Sequence, residues 1–358
     1  MNELEAIIRQ RIREKGPVPF RDFMEWALYF PELGYYQRQR DPFGKSGDFY
    51  TAPTVHPVFG ETIARDLVSR WEQLDRPVPC TVLECGAGRG TLAKQILDAI
   101  RDSTPELYAA VEYRIWERST SLRVVQQTIL QGQPVDWISD VNEIAPFTGI
   151  VLSNELIDAM PVHVVAKSDK CLQELYVTEQ NGQLAEWWGP VSDERIVPYL
   201  QQFAPPLKNR QRAEVNLAAL EWLALVARAL ATGWIITIDY GEQAELLYEG
   251  RMHGTLRAYR QHQFSPSLLR AVGEQDITAD VNFTALMQSG EALGLQTVFY
   301  GTQARFLVEA GIFQLLSPDP AADPFRDDRM KRNLAVKHLV LPGGMGECFK
   351  VLVQRKMA

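Results

Sequence analysis

The stretch Val82-Leu83-Glu84-Cys85-Gly86-Ala87-Gly88-Arg89-Gly90-Thr91-Leu92 constrains this chain more than any other. An apolar strand end runs into an acid, then a glycine turn, then a helix start over Thr91-Leu92-Ala93-Lys94-Gln95-Ile96-Leu97. Glycine lets the backbone turn sharply and lets a ligand approach the main chain closely. The segment therefore reads as the first strand-turn-helix of a nucleotide-type α/β domain. Spacing separates the ligands. A dinucleotide fingerprint needs glycine where Thr91 stands. The pattern E-x-G-x-G-x-G suits S-adenosylmethionine (SAM), which has no pyrophosphate to cradle. The acid Glu84 suits an ammonium and a sulfonium. Glu84, Gly86, Gly88 and Gly90 are the first candidate cofactor residues; an ordinary glycine turn is the alternative.

In doubly wound folds an acid at the end of the second strand accepts hydrogen bonds from ribose hydroxyls. Val111–Ser119 reads as that strand, ending in Glu117. Its distance from the turn exceeds the usual twenty or so residues, and the helix Leu92–Arg101 with the polar loop Asp102–Glu106 accounts for the excess. Glu117 can equally cap a helix starting near Ser119. Val135–Asp140 reads as a third short strand, whose trailing Asp140 is a candidate for the adenine amino group or else a solvated turn acid.

Composition narrows the partners. At 358 residues the chain can bury a large core, and a net charge of −8 argues against nonspecific nucleic-acid or membrane binding. Four cysteines without metal-ligand spacing make zinc unexpected and fit a reducing compartment. No metal is expected. There is no apolar run after the acidic N-terminus and no stretch of membrane-spanning length. A cytoplasmic protein without membrane insertion is the expectation.

Periodicity and punctuation give the organisation. Helices are predicted over Glu3–Lys15, Phe20–Phe30 and Val58–Trp71, and the parallel core starts near Thr81. The fourth strand is Gly149–Ser153. Glu174–Thr178, Asn181-Gly182 and Leu184–Trp188 then signal an inserted β-hairpin. A long helix is predicted over Glu214–Leu230, a fifth strand over Trp234–Tyr240, and mostly loop over Glu242–Asp280, long enough for a lid or binding segment. A helix at Phe283–Leu293 and strands near Gln296–Tyr300 and Cys348–Gln354 complete the chain. Gly44-Lys45-Ser46 mimics the end of a P-loop, but the glycine such a loop needs earlier is Gln39, so ATP binding is not expected.

Two more stretches are candidates for chemistry. Asn154-Glu155-Leu156-Ile157-Asp158-Ala159-Met160-Pro161-Val162-His163 follows the fourth strand, and ligands in open α/β sheets sit outside the carboxyl strand ends. Asn154, Glu155, Asp158 and His163 are the candidate catalytic residues, with Asn154 shared with the cofactor. A carboxylate and an amide can fix a cationic or amine nucleophile, and methyl transfer needs alignment more than acid-base power. The alternatives are N-capping of a following helix by Asn154, a surface Asp158 and a structural His163. The second stretch, Gly44–Pro57, holds Gly47, Asp48 and Thr51 and reads as a cofactor-side lid or as a packed Ω-loop.

With these motifs in hand, the chain resembles the MidA-like class I methyltransferases over nearly its whole length. Gly34-Tyr35-Tyr36, Gly47–Pro53, Leu83–Leu92, Asn154–His163, Asp239-Tyr240-Gly241, Gly254–Tyr259, Asp276–Val281 and Gly346-Glu347 follow the family order. Cys85 and Ala87 depart from the family turn, Thr54 stands where an acid is usual, and Asn282 replaces a common aspartate. The resemblance implies a class I methyltransferase fold: a Rossmann-like α/β sheet, mostly parallel, with an antiparallel strand near the end. It implies an N-terminal helical and loop region over 1–76 covering the active site. A SAM-dependent domain over 77–358 would follow, with insertions at about 168–212 and 242–281. It also implies methyl transfer to a protein arginine on a respiratory-complex or other protein subunit, in the setting of complex I assembly. A small-molecule methyltransferase, and a SAM-binding assembly chaperone without turnover, are the alternatives. Oligomeric state is not legible.

Overall fold

Among the described residues eight strands build the large sheet of the computed structural model: seven in one run, whose apolar stretches explain their burial, and the short Val281–Asn282, paired parallel with the end of the fifth. The seven are β1 (Cys80–Cys85), β2 (Val111–Trp116), β3 (Val135–Ile138), β4 (Phe147–Asn154), β5 (Leu230–Glu242), β6 (Leu295–Thr302) and β7 (Phe349–Lys356). The structure describes residues 2–38, 53, 56–168, 171–260, 263–316, 328–341 and 344–357. The strand order is β3-β2-β1-β4-β5-β7-β6. Neighbours are parallel except at β7, which runs antiparallel to both β5 and β6. This is the mostly parallel sheet with a late antiparallel strand that the sequence implies. The order reverses between β1 and β4, the topological switch point where ligands bind at carboxyl strand ends.

The chain divides into two compact units. One comprises Tyr50–Glu155, Ala224–Tyr240 and Gly290–Ala358 and holds nearly all of the large sheet. Helices Val58–Gln73 and Thr91–Ser103 bury Ile63, Leu67, Ile96 and Leu97 in a core that includes Val82, Ile150, Ile236 and Val351. Strands buried on both faces read as continuous apolar runs rather than alternation, which is why β1 and β4 stand out in the sequence. Gly149 and Gly233 lie side by side in register on β4 and β5. A Cβ on Gly149 would overlap the Thr81 carbonyl, and one on Gly233 the Gly149 carbonyl.

The other unit comprises Met1–Phe49, Leu156–Leu223 and Gly241–Ser289. Helix Glu3–Lys15 starts on Asn2, whose side chain accepts from the Glu5 amide at 2.9 Å, and it ends at Gly16. With helix Phe20–Tyr29 it packs Ile8, Phe23 and Leu28 against Val164, Leu175 and Ile277. An antiparallel sheet runs Val18–Pro19, Leu172–Gln180, His163–Lys167, Arg212–Val215, with Gln183–Gly189 paired to Leu172–Gln180. The last pair is the expected hairpin. Asn181 and Gly182 hold φ of 51° and 71°, the left-handed pair a type I′ turn requires.

Two expectations need refinement. Glu242–Asp280 is largely loop, as expected, but it also carries a three-stranded sheet of Arg257–Arg260, Gln263–Ser265 and Asp276–Thr278, and a helical turn at Ala244–Tyr248. Strands of three or four residues are too short to show alternation. The predicted helix Glu214–Leu230 forms as Leu217–Ala229, while Glu214 and Val215 close a strand, Arg212–Val215, ahead of it. Asn216 caps that helix by accepting from the Ala219 amide at 2.9 Å.

Candidate functional site

The glycine turn leaves β1 with Gly86, Gly88 and Gly90 at φ of 69°, 54° and 83°, all left-handed. A β-carbon is penalised in that region, so the sequence of the turn follows from its path. Gly90 then opens helix Thr91–Ser103. Helix Thr120–Ile129 packs on this face, with Leu130 and the Gln126 stem set within van der Waals reach of any Cβ on Gly90.

Two of the sequence-predicted acids meet in this unit. Glu84 is buried, and its Oε2 accepts from the Tyr113 hydroxyl of β2 at 2.8 Å. Burial pushes its carboxyl up to about 7; the Tyr113 bond opposes the shift and the charge of Glu117 adds to it. Glu117, at the end of β2, is also buried. Its Oε1 accepts from the Ser119 amide at 2.8 Å and its Oε2 from Gln126 Nε2 at 3.0 Å. Burial raises its pKa, while the bonds from Ser119 and Gln126 pull it back. Ser119 itself is the N-cap, accepting from the Leu122 amide, so Glu117 steadies the cap residue rather than serving as the cap. A carboxylate has about four acceptor sites, and these contacts leave capacity for hydroxyl donors.

The other candidates are placed as follows. Asp140 is exposed and caps the short turn Val141–Glu143, its Oδ1 accepting from the Asn142 amide and side chain, both at 2.9 Å. That is the turn-acid alternative. No helix follows Asn154, so the capping alternative for it does not hold. Instead Asn154 ends β4 and its Nδ2 donates to Glu155 Oε1 at 3.0 Å. Asn154 Oδ1 and the neighbouring Ser153 Oγ are buried without a hydrogen-bond partner. Glu155 turns the chain out of the sheet at φ 52°, its amide donating to the Ile238 carbonyl of β5 at 2.9 Å. A non-glycine residue held left-handed at a strand end is a feature that clusters at functional sites.

Asp158 and His163 belong to the unit that starts at Leu156. Asp158 is buried, and burial pushes it up to about 7, with Arg257 opposing and Asp280 reinforcing. It is not the surface acid of the alternative reading. His163 packs against a carboxylate: its Nδ1 lies 2.7 Å from Glu174 Oε1, both side chains buried, and Glu174 also accepts from Ser192. Gly47, Asp48 and Thr51 lie outside the described residues.

The sequence reading missed several partners. Around Asp158, Tyr29 donates to the Ala159 carbonyl at 3.0 Å and stacks on Tyr36 with ring centroids 5.6 Å apart. Tyr36 donates to Asp276 Oδ1 at 2.9 Å. Asp280 pairs with Arg251 and Arg257, its amide donates to Thr255 Oγ1, and Thr255 in turn donates to Glu214. The Gly34-Tyr35-Tyr36, Gly254–Tyr259 and Asp276–Val281 motifs are thus brought together inside one unit. Gln126 was missed too. Its signal was a polar residue on the apolar stripe of Leu122, Val125 and Ile129. Asn282 accounts for its departure from the family aspartate by donating to the Phe203 carbonyl and accepting from the Ala285 amide.

The residues of the turn fit SAM: a left-handed glycine path, a buried acid at the end of β2, and orphaned polar atoms at the end of β4. Comparisons with known proteins agree. A family model described as S-adenosyl-L-methionine-dependent methyltransferase matches residues 62–301. A Burkholderia thailandensis protein solved bound to S-adenosyl-homocysteine is 31% identical with a TM-score of 0.88, covering 99% of this chain and 92% of that one. The protein arginine methyltransferase NDUFAF7 of Rattus norvegicus, named as mitochondrial, is 28% identical over 95% of this chain and 81% of its own length. Its Drosophila melanogaster homolog, also named as mitochondrial, is 28% identical over 80% and 70%. These names overturn the cytoplasmic expectation. More than one compartment is reducing, so charge and cysteine usage could not choose between them. Among the described residues no helix is long and apolar enough to cross a membrane. With the glycine turn, the sheet order and these matches together, the chain belongs to the MidA-like family of class I SAM-dependent methyltransferases.

Proposed function

We propose that the chain methylates a guanidinium nitrogen of a protein arginine, on a respiratory-complex or other protein subunit. The observation that carries the reading is Glu155, an acid held in a left-handed turn at the carboxyl end of β4 and contacted by the Asn154 amide. The names of the NDUFAF7 relatives support the same acceptor class. In this reading Gly86, Gly88, Gly90, Glu84, Glu117 and Asn154 hold the cofactor. The cofactor supplies a methyl group already activated on a sulfonium. The chain's own residues then have two tasks.

The first is to hold the acceptor. An arginine side chain is always protonated in water, and a carboxylate can receive it through two parallel charge-assisted bonds. Glu155 is proposed for that role, with Asn154 Nδ2 fixing the carboxylate. The second is to leave the guanidinium free to shed its proton to water as the new N–C bond forms. Asp158, buried in the other unit and pushed up to about 7, is given no part in this step. His163, committed to Glu174, is left out of this chemistry.

The test is mass spectrometry of methyl-arginine sites in cells with and without the gene, followed by turnover on any site that disappears. Loss of a defined site, restored by the wild-type chain and not by Glu155→Gln, supports the reading. Unchanged arginine methylation, with S-adenosylhomocysteine still released on a small-molecule acceptor, overturns it. Binding without any release would identify the assembly chaperone.

A further inference from the structure

Gln126 is fully buried in the helix Thr120–Ile129, an unusual place for an amide. Its Nε2 donates to the Gly88 carbonyl at 2.8 Å and to Glu117 Oε2 at 3.0 Å. Its Oε1 accepts from the Trp137 indole of β3 at 2.9 Å. An amide nitrogen carries two hydrogens, so both donations are made at once. The amide has one workable orientation. Flipped, its oxygen would face a carbonyl and a carboxylate, and its nitrogen an indole N–H. The stem of the same side chain packs beside Gly90.

One side chain thus ties the glycine turn after β1, the acid after β2 and the face of β3. We propose that Gln126 is a positioning residue of the cofactor site. Its amide fixes the spacing between the glycine turn and the Glu117 carboxylate before the cofactor arrives. The inference rests on the reading of that turn and of Glu117 as cofactor residues, and it adds what holds them in register. Preorganisation of this kind raises affinity by removing ordering costs at binding. The bond from Gln126 also counters the effect of burial on Glu117.

The charged groups around the amide are Glu117, with Glu84 and Arg123 acting on Glu117 from β1 and from the same helix. They frame the test. S-adenosylhomocysteine binding is measured by calorimetry for the wild type, Glu117→Ala, Gln126→Glu and Gln126→Met, near pH 8 and near pH 6, with melting curves to verify folding. An ionised glutamate loses both donations and repels Glu117; once protonated it regains one. Gln126→Glu should bind about tenfold to a hundredfold more weakly than wild type near pH 8, the scale of lost bonds to a charged group. Relative to wild type, part of that deficit should vanish near pH 6. Gln126→Met, similar in volume and unable to donate, should be weak at both. A purely structural role lowers the melting point and leaves the affinity of folded protein unchanged. Wild-type affinity in folded Gln126→Met, or a deficit in Gln126→Glu that ignores pH, overturns the proposal while Glu117→Ala stays weak. Wild-type affinity in Glu117→Ala removes the cofactor reading of Glu117 itself, and this inference with it.

Discussion

Glu117 and Asn282 show what single side chains decide here. Glu117 accepts from Ser119 and Gln126 and is read as holding ribose hydroxyls as well. Glu117→Gln keeps an acceptor, whereas Glu117→Ala leaves both the hydroxyls and Gln126 without one. SAM binding should weaken by about 1.5–3 kcal/mol in the alanine variant and less in the glutamine variant, by calorimetry. Equal, wild-type affinities in both would leave the acid a helper of the Ser119 cap. Asn282 uses both halves of its amide, donating to Phe203 and accepting from Ala285. Asn282→Asp turns the donating half into an acceptor facing a carbonyl. It should lower stability by about 1–3 kcal/mol in urea unfolding; an unchanged midpoint would mean the local structure rearranges. Residues of this scale were legible only where chemistry is local. The glycine turn is readable because three left-handed positions must be glycine. Gln126 and Tyr113 were not, because their roles depend on Gly88, Glu117 and Glu84, which folding brings to them.

At the scale of elements, strands set between strong helix and turn signals were readable, the four-residue β3 among them, and those inside the Glu242–Asp280 segment were not. The seven expected strands β1 to β7 all form, and the Asn181-Gly182 hairpin forms with its expected turn. Arg257–Arg260 and Asp276–Thr278 carry no readable period, because each is held by pairing with the other. Packing of elements also sets the pH response. Glu84 on β1 is covered by Tyr113 on β2, and its folded pKa is about 7 against an ordinary 4.5. The folded state then holds a proton that the unfolded state releases between those values. Stability from this group is full below 4.5 and is lost as pH rises through about 7. Glu84→Gln removes that loss. In the cofactor-free protein the variant should gain on the wild type as pH rises from 5 to 7, by an amount on the order of 3 kcal/mol, then hold the gain. Asp158 titrates in the same range but is present in both proteins and cancels from the difference. Parallel stability profiles would show that Glu84 is not the group responsible.

At the scale of the whole molecule, the sequence is threaded through two compact units three times each, and the crossing between Glu155 and Leu156 falls inside the Asn154–His163 motif. Sequence order made that motif look like one strand end with a helix behind it. Folding instead divides it, with Asn154 and Glu155 closing β4 and Asp158 and His163 built into the other unit's network. Motif spacing carries no record of such a division, so the roles of the four residues could not be separated from sequence. Binding and turnover should still be separable by mutation within the unit that holds Asn154 and Glu155. Glu155→Gln preserves size and the Asn154 contact but removes the charge that would receive a guanidinium. Turnover should fall about tenfold to a thousandfold, equivalent to roughly 1.4–4 kcal/mol of transition-state stabilisation. SAM affinity should hardly change, because the proposed cofactor contacts are made by the glycine turn, Glu84, Glu117 and Asn154. The measurement is methyl transfer to the identified acceptor, beside SAM calorimetry. Full turnover in Glu155→Gln would remove that residue from the reaction. A matched loss of affinity and rate would make it a cofactor ligand, and the guanidinium reading would then rest on the relatives' names alone.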